Sequence, residues 1–364
     1  MPNDERTPNG GVQMLDINTL LQKAREEGCS DVHITVGGDA PIVTRKNGIL
    51  TKEQLKMADD DVRQLILDMC NDRQRASLAA GHDEDFAYAL PTGERHRVNV
   101  YSQINGLTAA VRIIRNTIPT LDELQLPQVM KTLADEPRGL ILLTGPTGSG
   151  KSTTLAAMID YISRTRSEHI LTVEDPIEYV FEQNLSVVHQ REVGETVESF
   201  AAALKSALRE DPDVILVGEM RDYETIQTAV TAAETGHLVL STLHTTGAAQ
   251  TIDRIIDTCP SGIQGQMRSQ LSMVLRGVIT QQLLPVAELD GRVAATEILI
   301  GNDAVANLIR ENKCHQLPST MASSAPLGMH TLNGDLARLV KVGRITKETA
   351  LRASTDKADL NYYF

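Results

Sequence analysis

Between residues 139 and 162 the chain reads GLILLTGPTGSGKSTTLAAMIDYI: an apolar run, a glycine-rich turn with one lysine, then a helical pattern. Glycines at 145, 148 and 150 let the backbone fold tightly and aim several N–H groups inward, a nest for phosphate oxygens. A helix starting near Lys151 adds the positive end of its dipole. Lys151 supplies a point charge for β- and γ-phosphates, and Ser152 offers its hydroxyl to Mg²⁺. The spacing is G-x-x-x-x-G-K-S, set between a strand-like run and a helix, the context such a loop requires. Gly145, Pro146, Thr147, Gly148, Ser149, Gly150, Lys151, Ser152 and Thr153 are therefore the candidate nucleotide-binding residues.

Hydrolysis also needs a group that orients or deprotonates the attacking water. In an open α/β sheet, ligands sit at the carboxyl ends of strands. HILTVEDPIEY ends a strand with Glu174 and Asp175, with Glu178 close behind, and PDVILVGEMRD ends one with Glu219. HLVLSTLH has His237 at its start and His244 at its end. Glu219 and Glu178 are both candidates for the water. Asp175, before a proline, can equally be a helix cap, and His237 can be a core or turn histidine. Gly218 stands where many P-loop proteins carry the Mg²⁺-associated aspartate, which leaves the metal to Ser152 and waters.

The elements that would position these groups follow from the pattern of apolar residues. Residues 1–13 are polar and rich in proline, glycine and asparagine, a disordered tail by composition. Residues 14–115 read as a small α+β domain. Its first helix has Leu15, Leu20, Leu21 and Ala24 in helical spacing, Asp16 as N-cap and Gly28 as stop. A hairpin (SDVHITVGG, APIVTRKNGIL), one helix over residues 60–81 and three strand-like runs complete it. Residues 116–138, with three prolines, read as a linker with one short helix. From residue 139 strands alternate with helices, the sign of a parallel sheet; beyond 262 helices dominate, with one strand, RVAATEILI. The expected fold class is α/β: a P-loop core beside a smaller N-terminal α+β domain.

Composition narrows the function. The 364 residues suffice for about two domains, and 41% hydrophobic with 23% charged residues is globular. No apolar run reaches the ~18 residues of a membrane helix, and no signal-peptide core opens the chain, so a cytoplasmic protein is expected. The four cysteines are scattered without a C-x-x-C, which argues for reduced thiols and against a zinc cluster. A net charge of −13 works against a sequence-independent grip on nucleic acid.

Taken together, SDVHI, IPTLDELQLP, LLTGPTGSGKSTTLAAMIDYI, TVEDPIEYVF, VHQREVG, ALREDPDVILVGEMRD and AETGHLVLSTLHTTGAAQTIDRIID resemble the type IV pilus retraction motors of the PilT family, within the secretion-superfamily ATPases. These stretches lie within residues 30 to 318. The resemblance implies a RecA-like core with a PAS-like N-terminal domain. Gly145–Ser152 would be the Walker A loop, Glu174–Glu178 the acidic box, Gly218–Glu219 an atypical Walker B motif, and His237 and His244 the histidine box. It further implies ATP and Mg²⁺ as cofactors without zinc and a homohexameric ring peripheral to the inner face of the cytoplasmic membrane. The partners implied are a pilus platform protein, with a paralogous motor as a further one, and not nucleic acid. Arginines at the places of Arg97 and Arg112 reach the nucleotide in that superfamily; the alternative for both is a strand-surface ion pair. Where retraction motors tend to read AIRNLIRE this chain has AVANLIRE, with Ala306 in place of the first arginine. That element either couples hydrolysis to retraction or is a helix packed on the core.

Retraction is the expected function. Pilus assembly or type II secretion motors usually carry a further N-terminal domain and a tetracysteine zinc insert, neither visible here. A RecA-like DNA motor is disfavoured by acidity and by the lack of tryptophan. A non-motor nucleotide switch has Ala306 as its one support.

Overall fold

The computed structural model describes residues 16–46, 49–53, 55–114, 117–287 and 291–364. The residues read as a tail, and Leu15, lie outside them. The chain divides between Asn116 and Thr117 into two compact units.

In the first unit, Asp16 accepts from the N–H groups of Asn18 and Thr19 and starts the helix Ile17–Glu26. Gly28, at φ +74°, ends it, its N–H donating to Arg25 O. Glycine takes that left-handed turn without the penalty a Cβ would add. Ile17, Leu20, Leu21 and Ala24 are buried on one face. Strands β1 (Asp31–Thr35), β2 (Ile42–Lys46), β3 (Ile49–Lys52), β4 (Glu84–Ala89), β5 (Arg95–Gln103) and β6 (Gly106–Ile113) form one sheet in the order β3-β2-β1-β6-β5-β4. All its pairings are antiparallel. The run read as one hairpin strand is two, since β2 and β3 pair with Lys46 opposite Ile49. The helix expected over 60–81 is also two, Asp59–Leu67 and Asp72–Ala79. Asn71 divides them by forming a capping box with Gln74, which makes a fresh start cheaper than continuation.

The second unit is built on seven strands: β7 (Gly139–Thr144), β8 (His169–Glu174), β9 (Val187–Glu192), β10 (Val214–Val217), β11 (Leu238–Leu243), β12 (Leu275–Pro285) and β13 (Arg292–Ile300). Their order is β13-β12-β7-β11-β10-β8-β9. Every pairing is parallel except β12 with β13. β7, β10 and β11 are buried along their whole length, as strands covered on both faces must be. Two strands depart from expectation. β9 lies in a stretch given no element, and β12 lies where helices were expected to dominate. Short apolar runs do not separate strand from buried helix by periodicity; β12 is a strand because β7 supplies it a parallel partner. The stretch read as a linker is drawn into this unit. Its Leu121, Leu126, Met130 and Leu133 are buried in one cluster with Ile141, Leu143 and Ile159. After β13 the chain is helical, including Asp303–Arg310 and Leu332–Lys341.

Among the described residues no helix is long and apolar enough to cross a membrane. No group of three or more His, Cys, Asp or Glu among them is placed to hold a metal ion. All four cysteines are buried free thiols.

Candidate active site

The loop after β7 leads into the helix Lys151–Thr165. Gly145, Gly148 and Gly150 have φ of +138°, +78° and +88°, a region where side chains are strained. A Cβ on Gly145 would lie 2.2 Å from Gln281 O, and one on Gly150 2.8 Å from Gln281 Nε2, whereas Gly148 has open space around it. Pro146, Thr147, Gly148 and Ser152 are exposed, Ser149 buried and Thr153 half-buried. No side chain caps the helix at Gly150, so its first N–H groups are not taken up by a cap side chain. Lys151 Nζ donates to Gly145 O (2.8 Å) and Pro146 O (3.1 Å). Burial lowers its pKa, and the carboxylates of Glu219 and then Glu178 oppose that shift. The ammonium therefore sits in the field of both acids while lying over its own loop.

The sheet order sets the other groups beside it. Moving away from β7, the carboxyl ends of β11, β10 and β8 come in turn, carrying His244, Glu219 and Glu174. Glu219 lies two residues past the end of β10, where its carboxylate meets Arg221 Nε at 2.8 Å and His244 Nε2 at 3.5 Å. Gly218 has a packing reason to be glycine. A Cβ there would come within 3.3 Å of Val173 O and 3.4 Å of Glu174 Cα and Phe200 Cε1. Glu174 Oε1 accepts from Thr172 Oγ1 (2.7 Å) and Gln190 Nε2 (3.3 Å). Asp175 caps no helix; the segment it opens is irregular, and the helix beyond Glu219 is capped by Asp222.

The segment carrying Glu178 is pinned from β9. Glu192 Oε2 accepts from Ile177 N (3.0 Å), and Gln190 bridges Tyr179 O (2.7 Å) and Phe181 N (2.9 Å). Tyr179 in turn shares a 3.0 Å hydrogen bond with Thr153 Oγ1. These side chains explain VHQREVG, a stretch matched in the resemblance without a role. Arg221 was likewise not singled out, although it stands two residues from Glu219. Gln281, buried in β12, donates from Nε2 to Ser149 O (2.7 Å) and accepts at Oε1 from Thr154 Oγ1 (2.9 Å). A polar pair inside the apolar run GVITQQLL was its one signal.

Three candidates do not belong to this edge of the second sheet. β11 runs parallel to β7 with Leu238 opposite Gly139, so His237 is at the amino edge of the sheet, about 20 Å from the loop at ~3.3 Å per residue. There its Nδ1 lies 2.9 Å from Ala232 O and closes the preceding helix. The turn reading of His237 is the one this geometry supports. Arg97 and Arg112 are cross-strand neighbours in the first unit. Arg97 pairs with Asp85 through Nε (3.2 Å) and an Nη (2.8 Å), and Arg112 Nε lies 3.2 Å from Asp31. In the helix Asp303–Arg310, Val305 and Ile309 are buried in the core while Asn307 and Arg310 face outward and Ala306 is half-buried.

Comparison with known proteins identifies the family. Residues 9–341 match the family described as Type II/IV secretion system protein. The type IV pilus retraction ATPase PilT of Pseudomonas aeruginosa is 48% identical over 337 residues, 92% of this chain and 97% of that protein. A twitching motility protein of Neisseria gonorrhoeae is 50% identical over 307 residues, 84% of this chain and 82% of that one. Among solved structures, the pilus retraction motor PilT with bound ADP matches at a TM-score of 0.88 and 46% identity, covering 96% of this chain and 99% of that one. Matched over nearly its whole length, the chain is an ATPase of the type II/IV secretion system protein family, in its PilT-like branch.

Proposed function

We propose that the chain powers type IV pilus retraction by hydrolysing ATP at the carboxyl edge of the second sheet. The observation that carries the chemistry is Glu219, held between Arg221 and His244 in electrostatic reach of Lys151. In this reading the N–H groups of Gly145–Thr153 hold the phosphates and Lys151 leaves its carbonyl partners to neutralise charge on the transferring group. Glu219 orients the attacking water and accepts its proton, and His244 and Arg221 keep that carboxylate aimed. Glu178 is the second acid in reach, with Glu174 and Asp175 at the start of its segment. Mg²⁺ fits the donors present: Ser152 offers an exposed hydroxyl, and this ion usually keeps several waters and takes few protein oxygens. When bound it neutralises developing charge on the β- and γ-oxygens. Hydrolysis should stop on chelation and return with Mg²⁺, and untagged protein should carry no stoichiometric zinc by elemental analysis. A zinc signal of one per chain would point to the assembly or secretion branch.

The rest of the motor is proposed with it: a PAS-like first unit, a RecA-like second unit and a homohexamer. The ring would act on a platform protein at the inner face of the cytoplasmic membrane, alone or with a paralogous motor. Deleting the gene and imaging surface pili tests the direction of work. Excess pili that do not retract are the expected result; bald cells would mean assembly instead.

A further inference from the structure

We propose that Gln281 is a positioning residue for the phosphate-binding loop, a role that rests on the reading of residues 145–152 as that loop. Its carboxamide joins two parts of the loop that must keep a fixed relation. Nε2 donates to Ser149 O at 2.7 Å, and Oε1 accepts from Thr154 Oγ1, on the first turn of the following helix, at 2.9 Å. The side chain is 2% exposed, so neither bond is shared with bulk water. The donor must face the carbonyl and the acceptor the hydroxyl, so the amide is satisfied in one orientation. With Ser149 O turned toward Gln281, the peptide that follows points its N–H the other way.

Two of the loop's three glycines face position 281. At Gly145 a Cβ would collide with the main-chain carbonyl there, whatever the residue, and at Gly150 a Cβ would come within 2.8 Å of the Gln281 Nε2. Only Gly148 has space for a side chain and is constrained by φ alone. Thr280 adds a second tie one residue earlier, its Oγ1 2.8 Å from Thr144 Oγ1 at the end of β7. The phosphate loop is thus shaped from β12 as well as from its own glycines.

The test measures binding of fluorescently labelled ADP to the full-length protein, with unliganded melting temperature as the check on folding. Gln281→Leu keeps the bulk and removes both hydrogen bonds; ADP should bind about tenfold or more weakly. Gln281→Glu separates positioning from mere filling. A carboxylate facing Ser149 O repels it, whereas the protonated acid donates as the amide does. Its affinity should climb from about pH 8.5 to pH 6 to within roughly threefold of wild type, while Gln281→Leu stays weak throughout. Glu123, Arg292 and Arg344 line a cleft together with Gln281, and Lys151 follows Gly150; the wild-type profile removes their contribution. ADP binding by Gln281→Leu within about twofold of wild type overturns the proposal, as does a Gln281→Glu variant without recovery at low pH. If Gln281→Leu fails to fold, Thr154→Val is read in the same assay: weaker ADP binding supports the brace and unchanged binding overturns it. A wild-type protein that bound no ADP would sink the reading of the loop itself.

Discussion

Lys151→Ala should abolish measurable ATP turnover while the protein stays folded. The ammonium donates to the carbonyls of Gly145, which is buried, and Pro146, which is exposed. Losing these bonds costs about 1–3 kcal/mol, part of it offset by removing a charge that burial disfavours, so the fold survives. Catalysis loses the one cation of the loop that can meet the transferring phosphoryl group. Removing a single preorganised donor from developing charge costs about 10²–10³ in rate, and a full charge costs no less. Glu219→Gln makes the complementary case. The amide keeps the size of the side chain but cannot take a proton from water, so ATP should bind at near wild-type affinity and persist unhydrolysed. Phosphate release together with bound-nucleotide analysis reads both variants. Wild-type turnover in Glu219→Gln would transfer the water to Glu178, the other acid that the Lys151 field reports.

The second large effect is expected in the first unit. Arg97→Ala should lose about 10³–10⁵ in rate if its guanidinium completes the site of a neighbouring subunit as an arginine finger. Stability should change by under about 1 kcal/mol, because the pair with Asp85 is partly exposed and such pairs contribute little. That gap between rate and stability is what a surface ion pair cannot produce. Asp85→Asn is the control: it removes the charge of the same pair and should leave turnover near wild type. Mixed with Lys151→Ala and allowed to exchange subunits, Arg97→Ala should recover some activity, since each protein supplies the half the other lacks. Normal hydrolysis by an Arg97→Ala, Arg112→Ala double variant in an intact ring would remove both residues from the active site.

What could be seen in advance follows the range of the interactions. Gly145, Gly148, Gly150 and Lys151 fall within eight residues, and a short-range pattern is enough to identify their turn. The carboxyl ends of β8, β10 and β11 were legible because continuous apolar runs mark strands buried on both faces. Asn71 shows the opposite case within a helix. The apolar spacing ran on, and a four-residue capping box overruled it. His237 was grouped with the site, yet a residue at the start of a parallel strand lies at the far edge of the sheet. β12 and Gln281 were out of reach for another reason. Their partners are β7 and Ser149, and no local pattern states that residues so far apart will lie side by side.

That separation also has a meaning in time. Ser149 and Gln281 are 132 residues apart along the chain. At about 5–20 residues per second of synthesis, roughly 7–26 s pass between their emergence. Through that interval the nascent loop has its glycines and lysine but not the strand that shapes it. A growing chain should therefore gain tight hold on ADP only after β12 has left the ribosome, late in translation, when most of the second sheet is already available to receive it.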